Sequence, residues 1–137
     1  MTLFEAKEYD PSVEKRRRMY AIAGLVLAAF FAFLVAIEHK DYERAYTIWN
    51  ADPNWKQHPQ KYAGYNFGTF ELDWGPTGEY GEIRSHTIRT ALTPKNSSGV
   101  VVISMINDRK VPLALWVEKK DRSITFLPPT LNIRIEP

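Results

Sequence analysis

Hydrophobic and polar positions divide this chain sharply. Met19 to Ile37 is a run of 19 residues without a single charge, while charges recur throughout the rest. At about 1.5 Å rise per residue, a helix of that length spans roughly 28 Å, close to the roughly 30 Å of a bilayer's hydrocarbon core. Unpaired backbone groups cost several kcal/mol inside a bilayer, so the run is predicted to be helical. A buried core helix normally carries a polar stripe, and this run has none. A cleaved signal peptide has a shorter apolar region and a small-x-small site, whereas this run ends Leu34-Val35-Ala36-Ile37-Glu38. The expectation is a tail over 1–18, a retained transmembrane helix over 19–37 and one domain over 38–137.

Beyond the apolar run the periodicity changes. Glu38 to Asn50 places Tyr42, Ala45, Tyr46, Ile48 and Trp49 at spacings near three and four, which predicts an amphipathic helix docked on a sheet. Asp52-Pro53 ends it, and 51–66 reads as a loop with a short helix around 59–65. Phe67 to Trp74 reads as a short aromatic strand. Glu82 to Thr93 alternates, with Ile83, Ser85, Thr87, Arg89 and Ala91 in one set. Val100 to Ile106 is a β-branched run suited to a central strand. Val111 to Glu118 places Leu113, Leu115 and Val117 on one face, with Ala114 and Trp116 on the other. Ser123 to Leu127 is a further strand, and Leu131 to Ile135 an edge strand. Polar turns at 94–99, 107–110 and 119–122 separate them. The predicted class is α+β: one N-terminal transmembrane helix, then a helix packed on a curved antiparallel sheet of four to five strands.

Charge adds orientation. Lys15, Arg16, Arg17 and Arg18 stand directly before the apolar run, and only Lys40 and Arg44 follow closely. The positive-inside rule then puts 1–18 in the cytoplasm and 38–137 outside it, with Tyr20 at the interface. The tail mixes acids with this cluster and is expected to be flexible. Within the run, Gly24, Ala28, Ala32 and Ala36 recur every fourth residue, a pattern that lets helix backbones approach closely. Leu27, Phe30, Phe31 and Leu34 would then face lipid.

Composition narrows the chemistry. The absence of cysteine removes disulfides, thiolate metal sites and cysteine nucleophiles. A net charge of +2, without basic residues interleaved with aromatics, gives no case for nucleic acid. His39, His58 and His86 lack ligand spacing, so no metal site is expected. Gly75-x-x-Gly78-x-x-Gly81 lacks the lysine and helix of a phosphate loop. Asn96-Ser97-Ser98 matches a glycosylation sequon. Trp55, Tyr62, Tyr65 and Trp74 lie near prolines, where exposed aromatics would mark a partner surface.

Asp41-Tyr42-Glu43-Arg44-Ala45-Tyr46, followed by Trp55-Lys56-Gln57, Tyr62, Phe67, Phe70 and several strands, resembles membrane-anchored proteins of the NTF2-like and cystatin-like kind. The resemblance covers roughly 38–127, by order of elements. It implies a helix cradled by a curved sheet. Enzymes on such folds bury an acid or histidine, and Asp73, Glu82 and His86 are the candidates. Asp73 suits a turn better, and His86 shares the Glu82/Arg84 parity of a solvent face. No catalytic, cofactor-binding or metal set is therefore expected. The expected function is a non-catalytic, single-pass accessory or interaction protein that contacts lipid and either a protein partner or itself. The alternatives are a ligand-binding or catalytic NTF2-like domain, and an assembly factor for a membrane complex.

Overall fold

The computed structural model describes residues 10–129 and 131. The fold is α+β: a long apolar helix α1 (Pro11–Glu38), shorter helices α2 (Tyr42–Asn50) and α3 (Phe67–Trp74), and a four-stranded antiparallel sheet. The strands are β1 (His86–Leu92), β2 (Gly99–Ile106), β3 (Leu113–Glu118) and β4 (Ile124–Thr125), paired in sequence order. The edge strand expected over Leu131–Ile135 lies, apart from Leu131, outside the described residues.

Helix α1 begins eight residues before the apolar run. Asp10 caps it by accepting from the Ser12 N–H, and Pro11 occupies the first turn, where its missing donor costs nothing. Residues 11–18 are therefore helical, and the expected flexible tail does not hold for them. Asp41 caps α2 by accepting from the Arg44 N–H at 3.2 Å, and Ala51 closes it in the left-handed region at φ 51°.

The segment 67–74 is a helix, not the expected strand. Asn66 caps it by accepting from the Thr69 N–H at 2.9 Å, and Phe67, Phe70 and Trp74 fall at helical spacing. Short 3-10 turns at Trp55–Gln57 and Ala63–Tyr65 fill the connection before it.

Strand β2 is central and buried on both faces. Val100, Val102 and Ile106, with Leu113, Leu115, Val117 and Ile124, face the helices. Val101, Ile103 and Trp116 face the other way, under Leu127 and Leu131. Gly99 is required where β2 begins, because a Cβ there would overlap the Trp116 indole. A bulge between Ile88 and Thr90 breaks the expected alternation of β1 and brings Ala91, opposite Val102, onto the helix-facing side. Asn107 fastens the approach to β1: its side-chain oxygen accepts from the Arg84 and Ser85 N–H groups at 2.8 and 3.0 Å, and its amide donates to the Glu82 carbonyl at 2.9 Å.

The core forms where α1, α2 and α3 meet the sheet. Phe33 of α1 sits 5.5 Å from Trp49, 6.1 Å from Phe70 and 5.1 Å from Trp74, centroid to centroid. Val26, Phe30, Leu34, Ala36 and Ile37 join it in full burial. Six of the 19 residues of the apolar run are thus core of the domain. This corrects the expectation that Phe30 and Leu34 face lipid: both are inaccessible, and Leu27 is half-buried against the same cluster.

Candidate functional site

The two faces of α1 differ in what covers them. The inward face carries Val26, Phe30, Phe33 and Ile37. Nearer the helix start, Met19, Tyr20, Ile22 and Ala23 border a cleft whose far wall is Thr93, Val100 and Lys119. The rest of the domain therefore lies along one side of α1 for most of its apolar length.

The opposite face is open. Spacings of three and four place Val13, Arg17, Tyr20, Gly24, Ala28, Phe31 and Val35 along it. Tyr20 is 72% exposed, Phe31 53% and Leu25, on its flank, 51%. A Cβ at Gly24 would meet nothing within 4 Å. Of the small-residue stripe, Gly24 and Ala28 lie exposed, Ala32 is half-buried and Ala36 is in the core. The stripe is not one continuous surface, because the helix turns its last member into the domain. Lys15, Arg16, Arg17 and Arg18 are all exposed beside this face, with Arg18 3.6 Å from Glu14.

The four aromatics expected to form a partner surface divide differently. Trp74 is 2% exposed and stacks on Tyr80 at 5.5 Å, so it belongs to the core. Trp55, Tyr62 and Tyr65 are half-buried around Tyr46 and Trp49. Their polar tips are used internally. The Trp55 Nε1–H donates to Thr47 at 2.9 Å, the Tyr62 hydroxyl to Asp52 at 2.6 Å, and the Tyr65 hydroxyl to Asp73 at 2.7 Å. Only the outer edges of Trp55 and Tyr62 remain available. With Tyr46, Pro59 and Phe67 they line a shallow groove of about 330 Å³.

Beside that groove, Asp52 also approaches His58 Nδ1 at 2.9 Å. The Tyr62 hydrogen bond, followed by that of His58, holds the Asp52 carboxyl down at about 2. Burial, followed by the adjoining Asp52 carboxylate, raises the Tyr62 hydroxyl to about 12. Tyr65 is raised as well, by burial first and then by Asp73. These shifts stabilise a tyrosine–carboxylate frame in its resting ionisation and leave Tyr62 neutral at ordinary pH.

The candidate acids and histidine are not brought together. Asp73 ends α3 as the Tyr65 acceptor. Glu82 lies 3.5 Å from Lys40. His86 is the correction among them: its side chain is 8% exposed, pairs with Glu38 and meets the Phe31 ring edge-on at 5.3 Å. Parity read along the strand misplaced it, because the segment before β1 is irregular and is tied to Asn107 rather than paired in the sheet. The His86–Glu38 pair links β1 to the end of α1. Among the described residues, no three His, Asp or Glu side chains gather in an arrangement that could hold a metal ion. Asn96 occupies an exposed turn at φ 58°. Compared with protein-family models, curated proteins and solved structures, the chain matches none of them.

Proposed function

We propose that this protein is a non-catalytic accessory protein attached to a membrane through α1, whose sheet domain meets a partner in a larger membrane complex. The observation that carries the reading is the open apolar face of α1 next to four exposed basic residues. Soluble proteins rarely leave such a face uncovered. Were α1 to span the bilayer, the basic cluster would keep residues 10–18 in the cytoplasm and put the domain on the other side.

The test begins with native membranes. The protein should pellet with them, resist salt washing, and co-elute with a larger assembly in mild detergent. Recovery in the soluble fraction without detergent ends the membrane reading. Elution alone removes the accessory role and leaves the anchor.

A second reading has one observation in its favour. On an NTF2-like or cystatin-like fold, the Trp55–Tyr62–Phe67 groove would take a small, flat apolar ligand by stacking. Quenching of Trp55 fluorescence by aromatic probes, abolished in Trp55→Ala, would support it. The groove does not include His86 or Glu38, so this reading concerns binding rather than proton transfer. A transient assembly factor differs from the accessory subunit only in the lifetime of the complex, which the same co-elution reads.

A further inference from the structure

The inward packing of α1 limits how a membrane can receive it. Val26 is the first fully buried residue of the run, and Phe30, Phe33, Leu34, Ala36 and Ile37 follow. While the domain stays intact, only Met19 to Leu25 holds no fully buried residue, and even there Ile22 packs against the core. Seven residues of helix reach about 10 Å, against the roughly 30 Å that a span requires. Drawing the remainder into a bilayer would strip Trp49, Phe70 and Trp74 of the Phe33 ring they pack on. A helix apolar on every side requires apolar surroundings on every side. The domain core supplies one side, and the other is open.

We propose that α1 lies in the plane of an anionic lipid surface, with its outward face in the acyl boundary and its inward face still in the core. This rests on the membrane reading above and names its mode. Charge selects lipid as the occupant. Arg17 falls on the outward face, while Arg16 and Arg18 fall to either side of it, where their heads reach phosphates as the apolar residues enter the bilayer. Tyr20, Leu25 and Phe31 continue that face with large side chains suited to an insertion of about 5–10 Å. A parallel second copy would instead bring the two basic clusters together. The arrangement places residues 10–18 and the sheet domain on the same side of the membrane, unlike a span.

The absence of cysteine makes the test clean. Full-length protein carrying Ser12→Cys or Lys95→Cys is diluted from detergent onto sealed vesicles of phosphatidylcholine and phosphatidylglycerol. A membrane-impermeant maleimide is then added outside. The proposal expects both variants to label completely without detergent. It also expects weak binding to phosphatidylcholine alone, and a loss of at least about tenfold in Arg16→Gln/Arg17→Gln/Arg18→Gln. Leu25→Gln should weaken binding while leaving the urea midpoint in place, which separates lipid contact from folding. Complementary labelling of the two sites, one protected where the other is open, overturns the in-plane mode and leaves the anchor standing. No vesicle binding, with a dimer that Leu25→Gln dissociates, overturns it in favour of a second copy. No association with vesicles or with native membranes removes both this inference and the reading beneath it.

Discussion

The inward and outward faces of α1 are built from the same residue types and do different work. Phe33 and Phe31 are two residues apart; one is fully buried against Trp49, Phe70 and Trp74, the other meets His86 edge-on and is 53% exposed. Leu34 is fully buried and Leu25 half exposed. Apolar character alone therefore does not say whether a side chain belongs to a core or to a surrounding solvent. What separates them is the domain core, where α2, α3 and the sheet close over one side of the helix and leave most of the other open.

Substitutions that treat the faces alike should show the contrast. Phe33→Ala removes the ring at the meeting point of three aromatics and should cost about 3–5 kcal/mol in urea unfolding. Phe31→Ala, on the open face, should cost well under half of that. Equal losses would mean that the outward face is also buried, in a dimer or a complex. Asn107→Ala leaves the Arg84 and Ser85 N–H groups without their acceptor and should cost about 1–3 kcal/mol. It should loosen the approach to β1, and faster amide exchange at 84–88 would read it.

A smaller effect is expected beside the aromatic groove. Tyr62→Phe removes one hydrogen bond and should cost about 1 kcal/mol. The Asp52 carboxyl should rise from about 2 toward its ordinary value, since Tyr62 is the first cause of its depression. The pH dependence has a defined sign at each end. Asp52 contributes stability that is present above its unfolded value near 3.8 and is lost as pH falls through about 2. Tyr62 contributes stability that is present below its unfolded value near 10.0 and is lost as pH rises through about 12. Tyr62→Phe should flatten both limbs, and an unchanged alkaline limb would assign that loss to Tyr65.

Much of the strand order was legible from the chain. The turns at 94–99, 107–110 and 119–122 and the run 100–106 announce a meander, because polar turn residues bound β-branched segments there. Helix α3 also has a local signal, though a fainter one. Asn66 as a cap, with Phe67, Phe70 and Trp74 at helical spacing, announces it, while the aromatic content of the segment favours a strand. The burial of His86 was not legible, since the Asn107 tether, the irregular run before β1 and the Glu38 partner 48 residues away exist only after folding.

Residue order alone makes Met19 to Ile37 an uncharged helix flanked by basic residues, because unbroken apolarity and missing breakers are local properties. It also determined the antiparallel order of the strands, through alternation and turn chemistry. Only the tertiary structure decided which side of that helix is core. A uniformly apolar helix has no stripe to say which way it faces, so the choice falls to the helices and sheet that pack against it, which meet it only once the chain has folded.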